Sequence, residues 1–372
     1  MITELSISQL RGFDSFRMSG LGRVNLLVGT NNSGKTTVLE AIQLLASPGD
    51  TFSIFRILSR RGEDWWDATE RRRIRHVDVR RLFCGHEIKK GSQFEILASV
   101  QGGKRSFVGK IIDAPTPRDS IPPLLSTPSR WDDPDELLSD VALRLTWDEK
   151  PETDFAIPIT RHGGLSADLS RKALQGFDTG ESVRFISSAA LSPESVVELF
   201  ESVVLTADEP LVIEALNIID PSIERIATSS ADRLRLETTR GGVIVKCRGI
   251  DQRIPIGSMG DGIWRILGIA LALVRSGGGV LLIDEIDTGL HYSVMADMWK
   301  LLFRTAKRLN VQVFATTHSR DCYESLAVIC RDEASQDDNE ITIQRLEKNK
   351  KRAVAYTEQE IVAAAERGME VR

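Results

Sequence analysis

Cysteine is sparse in this 372-residue chain, and its four copies (Cys84, Cys247, Cys322 and Cys330) show no CxxC spacing. That argues against a disulfide framework and against a zinc site, and it fits thiols kept reduced. No apolar run approaches the roughly 18 residues that a membrane-spanning helix needs; the longest stretch, Ile266 to Val274, falls far short. The opening residues, MITELSISQLRGF, lack the apolar core of a secretory signal. Neither an internal repeat nor a sustained heptad pattern is present. Positive charge is not in excess either. The formal net charge is -5, so a surface for nucleic acid would have to be local, and no membrane partner is expected. What remains is an ordinary globular composition, 41% hydrophobic and 27% charged. The length suits one large α/β domain with insertions, or two domains. The expected location is cytoplasmic.

The pattern along the chain is α/β at both ends. Residues Ile2 to Leu10 alternate apolar and polar, imperfectly, as a half-buried strand does, and Arg11-Gly12-Phe13 reads as a turn. Val24 to Val28 is a short continuous apolar run, the pattern of a strand covered on both faces. From Thr36 the residues Leu39, Ile42, Leu45 and Ala46 recur at helical spacing as far as Ser47-Pro48. Residues 56–90 are dense in arginine, with the cluster Arg71-Arg72-Arg73-Ile74-Arg75 and with Trp65 and Trp66 nearby. Such a run is either a set of solvated helix faces or a DNA-facing patch. Six of the thirteen prolines fall between Pro115 and Pro134, which predicts a long loop. Amphipathic helices return between Ser192 and Leu216, and Leu234 to Cys247 reads as a hairpin around Gly241-Gly242. The last third offers an apolar helix (Gly262 to Arg275), a buried strand (Val280 to Ile283), an amphipathic helix (His291 to Leu309) and another buried strand (Val311 to Ala315). A helix and a β-β-α segment follow, with Thr357 and Glu360 at capping-box spacing.

Four motifs carry chemistry. Gly29-Thr30-Asn31-Asn32-Ser33-Gly34-Lys35-Thr36-Thr37 is a full GxxxxGK[ST] between a predicted strand and a predicted helix. Its glycines let successive backbone N–H groups converge on phosphate, and the helix N-terminus adds a favourable dipole. Asn31, Asn32, Ser33, Gly34, Lys35, Thr36 and Thr37 are thus candidates to bind ATP, with Lys35 on the β/γ-phosphates and Thr36 on Mg²⁺. Val280-Leu281-Leu282-Ile283-Asp284-Glu285 has the Walker B layout: Asp284 can hold Mg²⁺, and Glu285 can polarise an attacking water. Taken alone, the two acids could also cap the next helix. Ala315-Thr316-Thr317-His318-Ser319 ends the following strand and places His318 to sense the γ-phosphate. Finally, Ser258-Met259-Gly260-Asp261-Gly262 opens a second helix with small residues and a hydroxyl. It is suited to a second phosphate, which makes sense if that phosphate belongs to a partner subunit's nucleotide.

In this order (P-loop, SxGxG, LLIDEIDTGLH, TTHS) the motifs resemble the ABC-type ATPase heads of the OLD (overcoming lysogenization defect) and RecF-like group, often described as AAA-type core domain ATPases. The resemblance covers the first fifty or so residues and the stretch from about residue 234 onward. It implies that Ser258 and Gly260 stand for the signature serine and glycine, that Asp287 is the D-loop acid, and that Arg11 lies near adenine or phosphates. No Q-loop glutamine is assigned; Gln93 is the nearest candidate. Glu285 and His318 are the expected catalytic residues, Thr36 and Asp284 the metal ligands, and ATP and Mg²⁺ the substrate and cofactor.

The fold expected is an α/β P-loop NTPase of ABC-ATPase type, a mostly parallel sheet flanked by helices. Its divisions are an N-terminal lobe (1–110), an inserted middle region (111–233) and a C-terminal lobe (234–372). The resemblance further implies a homodimer that sandwiches two nucleotides and gates a separately encoded effector, a nuclease above all, in anti-phage defence or DNA maintenance. DNA stays open as a direct partner. A TOPRIM nuclease domain is not expected in the roughly fifty residues after His318. The alternative is a RecF-like DNA-repair clamp with no nuclease partner, although DTGLH departs from the RecF pattern. The signature argues against a transporter, and the lack of heptads between P-loop and signature against an SMC protein.

Overall fold

The continuous apolar run Val24–Val28 and the alternating run Ile2–Leu10 begin two different kinds of sheet. The computed structural model describes residues 1–69, 72–114, 138–150, 154–166, 183–228, 242–332 and 340–371. Within it the chain divides into two compact units, one of Met1, Gly20–Leu39 and Glu181–Arg372, the other of Ile2–Ser19 and Glu40–Gly180. These units cut across the three consecutive blocks read from the sequence. Residues 111–180 belong to one of them and the rest of the expected middle region to the other.

The first unit is built on a six-stranded sheet in the order Val183–Ile186, Val280–Ile283, Gln312–Thr316, Val24–Val28, Ile341–Arg345 and Val354–Tyr356. The first five strands run parallel; only the last is antiparallel. Register places Ile283, Ala315, Leu26 and Ile343 in one row across the sheet. Since side chains alternate along a strand, that row turns to one face. There it joins a core shared with the helices Pro193–Glu201, Glu209–Asn217, Asp261–Val274, Tyr292–Arg308, Arg320–Asp332 and Glu358–Glu366. Asn25 is the polar exception inside the central strand. Its amide donates to Gly22 O and Val313 O, and its Oδ1 accepts from Gly22 N and Thr342 Oγ1. A buried amide satisfied four times costs little and pins the strand just before the P-loop.

A three-stranded antiparallel sheet (Ile223–Thr228, Val243–Cys247, Ile254–Pro255) leads into the turn Ile256–Met259 and then the apolar helix Asp261–Val274. The strand Val243–Cys247 pairs with Ile223–Thr228. The first arm of the hairpin expected over Leu234 to Cys247 lies outside the described residues. The capping box at Thr357 and Glu360 is formed.

The second unit is antiparallel. Its six-stranded sheet runs Phe13–Ser19, Ile2–Leu10, Gln93–Val100, Gly103–Asp113, Leu138–Trp147 and Asp154–Thr160. Phe83, Phe94, Phe107 and Trp147 form a contiguous aromatic core. Gly109 is obligatory there, because a Cβ would stand 2.3 Å from the Phe94 ring. The basic stretch folds as a helix (Phe52–Arg60) and a hairpin (Asp64–Thr69 with Arg72–Asp78). Arg56, Arg61, Arg75 and Arg80 each meet a carboxylate, namely Asp50, Glu40, Asp64 and Asp78. The proline-rich stretch Pro115 to Pro134 lies outside the described residues. Among the described residues, no helix is long and apolar enough to cross a membrane.

Candidate functional site

Parallel strands end together, so the loops that follow them meet at one edge of the sheet. Here the strand Gln312–Thr316 lies between the P-loop strand Val24–Val28 and the acid-bearing strand Val280–Ile283. It pairs Thr316 with Leu27 and Ala315 with Ile283. Three of the four motifs are thereby brought to one place.

The P-loop needs its glycines. Gly29 has φ 144°, and a Cβ on it would stand 2.2 Å from Leu346 O. Gly34 has φ 100° and Asn32 φ 62°. The helix Lys35–Leu45 follows with no acid in its first turn, so its own side chains leave the positive end of its dipole uncancelled. Lys35 is buried. Its Nζ donates to Gly29 O at 2.8 Å and Thr30 O at 3.0 Å, and lies 3.5 Å from His318 Nδ1. Burial pushes its amine down to about 8, while the charges of Asp284 and Glu285 pull the other way. Ser33 Oγ is buried without a hydrogen-bond partner among the described residues. A buried cation resting on backbone carbonyls and an orphaned hydroxyl in one loop are what a phosphate would satisfy. Thr37 is buried as well, whereas Asn31 and Asn32 are exposed.

Asp284 faces this loop. Thr36 Oγ1 lies 3.3 and 3.4 Å from its two carboxylate oxygens. A hydroxyl and a carboxylate are hard oxygen donors, the set that suits Mg²⁺ when phosphates and water complete its shell. Among the described residues no group of three or more His, Cys, Asp or Glu could hold a metal by itself, so the fit is to an ion carried with phosphate. Thr316 locks the acid pair: its hydroxyl donates to Asp284 Oδ1 at 2.7 Å and accepts from Glu285 N at 2.8 Å. Glu285 itself sits at φ 50°, unusual for a residue with a side chain. Its Oε2 accepts from Thr288 Oγ1 at 3.3 Å. Thr317 donates to Asp287 at 2.6 Å, tying the next acid to the His318 segment.

Three expected residues take no part in this group. Ser258 is in the one-turn helix Ile256–Met259, and Gly260, at φ 96°, is the N-cap of Asp261–Val274. Both are exposed, and neither takes part in the hydrogen bonds that join Lys35, Thr36, Asp284, Thr316 and His318. Arg11 belongs to the other unit, where its buried guanidinium pairs with Glu40 at 2.8 Å and Glu63 at 2.9 Å. Gln93 begins an antiparallel strand of that same unit and is exposed.

Sequence reasoning passed over Thr316 and Arg265. The first was hidden by the attention its neighbour His318 draws. The second carried a signal, a lone arginine within the apolar run of Asp261–Val274, since such a charge is rarely buried without a task.

The chain is similar to several known proteins. Residues 24–321 match the family described as "AAA domain, putative AbiEii toxin, Type IV TA system". An ATP/GTP phosphatase of Helicobacter pylori is 22% identical over 355 residues, covering 89% of each chain. The DNA replication and repair protein RecF of Acinetobacter baylyi is 46% identical over 46 residues, 12% of this chain and 13% of its own. Among solved structures, the Smc head domain bound to the C-terminal domain of ScpA, from Pyrococcus furiosus, is similar with a TM-score of 0.47 and 11% identity, covering 98% of both chains.

Proposed function

The chain belongs to the AAA-domain family described as putative AbiEii toxins of type IV toxin–antitoxin systems, and on that premise we propose that it is an ABC-type ATPase of the OLD and RecF-like kind. It binds ATP with Mg²⁺, closes on a second copy of itself around the nucleotide, and hydrolyses it to ADP and phosphate. The closed state gates a separately encoded effector, a nuclease above all, in anti-phage defence or DNA maintenance.

The observation that carries the reading is the hydrogen-bonded line Thr36–Asp284–Thr316–Glu285 beside a buried Lys35. Lys35 and the helix N-terminus neutralise phosphate oxygens. Thr36 and Asp284 hold Mg²⁺, which supplies further charge neutralisation when bound. Glu285 takes the proton of a water that attacks the γ-phosphorus, and ADP leaves with the bridging oxygen. His318, beside Lys35, contacts the γ-phosphate. The exposed Ser258–Gly260 turn is left to meet the nucleotide of the partner copy. The H. pylori relative's name, ATP/GTP phosphatase, is consistent with such hydrolysis.

Phosphate release from ATP and Mg²⁺ by the purified chain tests this directly. Turnover that is lost in Lys35→Ala and Glu285→Gln supports the reading. Turnover at wild-type rate in either variant removes it.

A further inference from the structure

A buried arginine stands behind the acid pair. Arg265, in the second turn of the helix Asp261–Val274, is 2% exposed. A buried guanidinium usually meets a carboxylate, yet the three acceptors of this one are main-chain carbonyls. Its Nη1 donates to Ser187 O at 2.5 Å, and its Nη2 donates to Asp284 O at 2.7 Å and Glu285 O at 2.8 Å. Burial lowers its pKa to about 10 against the pull of Asp284, Asp287 and Glu285, so it stays charged at neutral pH.

Carbonyls of consecutive residues point to opposite sides of an extended strand. These two converge on one nitrogen because the chain turns at Glu285, where φ is 50°. A residue with a side chain keeps that conformation only where its surroundings hold it. Thr316 holds the N–H of Glu285 from the neighbouring strand. Arg265 holds the carbonyls from the helix that Ser258–Gly260 heads. That helix touches the acid loop a second time at its first turn, where a Cβ on Gly262 would stand 2.9 Å from Gly289 O.

We propose that Arg265 is a positioning residue that fixes the backbone of Glu285, so that the helix behind the Ser258–Gly260 turn sets the aim of the general base in its own subunit. In a nucleotide-sandwiched dimer the head of this helix meets the partner's nucleotide while Arg265 grips the acid of its own site. Occupancy of one site then reaches the other through a single rigid element. The inference rests on the reading of Glu285 as general base.

Arg265→Lys tests it, because one ammonium cannot span the carbonyls of Ser187 and of Asp284–Glu285. Turnover should fall about ten- to a hundredfold, while the Kd of a fluorescent ATP analogue stays within about twofold. The Hill coefficient for ATP should lie above one in the wild type and fall to one in the variant. Added to Glu285→Gln, the same change should slow the residual rate by no more than about twofold, since the group it aims is gone. Cooperative thermal melting shows that each variant is folded, and Arg265→Gln replaces Arg265→Lys if it is not. Wild-type turnover in the variant, an equal further loss on top of Glu285→Gln, or a raised Kd that accounts for the loss each overturns the positioning role. An unchanged Hill coefficient overturns the relay. Failure of the underlying function looks different, because Glu285→Gln alone would then turn over at the wild-type rate.

Discussion

Lys35 shows how one residue's environment prepares a ligand's place. Its ammonium is buried against two carbonyls, and its pKa drops to about 8. A phosphate beside it favours the charged form and raises the pKa again, so binding above about pH 8 takes up a proton. Affinity for ADP or a non-hydrolysable ATP analogue should be flat below pH 8 and fall by up to about tenfold per unit above it. Titrations between pH 7 and 10 read this directly, and Lys35→Arg, always charged, should flatten the fall. An equally flat profile for the wild type would mean that Lys35 is not the group desolvated at the site. Thr316 makes a second prediction. Thr316→Val keeps the shape but removes both the donor to Asp284 and the acceptor for Glu285 N. It should cost about 1–3 kcal/mol of stability and lower kcat more than it raises KM, as paired melting and steady-state measurements would show. Of these groups, Lys35 was legible from the spacing of the P-loop, and Asp284 and Glu285 from an apolar strand read beside that loop. The role of Thr316 was not, since it depends on which strand lies between the other two.

The helix Asp261–Val274 does two jobs at the scale of an element. Its apolar length fills the core, while its head, capped by Gly260 at φ 96°, stays exposed. That division was partly legible: an apolar run preceded by Ser-x-Gly-x-Gly gives both the buried helix and the phosphate-ready turn. The pairing of Val243–Cys247 with Ile223–Thr228 was not, because that strand lies earlier in the chain than local alternation can reveal. The proposed role of the exposed head in trans sets up a complementation test. Ser258→Arg should leave ATP binding by single subunits intact and suppress hydrolysis, whereas Lys35→Ala should suppress hydrolysis from the other side of the interface by weakening ATP binding. A mixed dimer carries one composite site with both defects and one with neither. Activity should therefore return to about a quarter of wild type in an equimolar mixture, half the dimers being mixed with one intact site each. Mixtures as inactive as each parent would place Ser258 and Gly260 outside any composite site.

On the scale of the molecule, the chain interleaves two architectures, a parallel sheet that assembles the nucleotide machinery and an antiparallel unit whose two segments, Ile2–Ser19 and Glu40–Gly180, lie on either side of the Gly20–Leu39 segment in sequence. Motifs made the parallel unit readable because phosphate chemistry fixes residue types at fixed spacing. The antiparallel unit has no such constraint, and only its first strand and turn stood out. Its arginine-rich stretch left solvated helix faces and a DNA-facing patch both open, and four of those arginines are engaged by carboxylates. Whole-molecule behaviour is best tested through Glu285→Gln. The amide keeps the size of the side chain, so ATP and Mg²⁺ should still bind through Lys35, Thr36 and Asp284. Loss of the base removes about 10²–10⁴ of rate, and ATP then persists wherever it is bound. A nucleotide that contacts Lys35 of one copy and Ser258–Gly260 of the other binds only the closed dimer, and it shifts the population there by its differential affinity. Sedimentation velocity of the variant should show a larger, closed assembly with ATP and Mg²⁺ and an open one with ADP. Coincident profiles with ATP demonstrably bound would show that nucleotide does not hold the copies together. The alternative, a constitutive oligomer that only tightens, separates from this in scattering, where the radius of gyration contracts on adding ATP while the mass stays fixed.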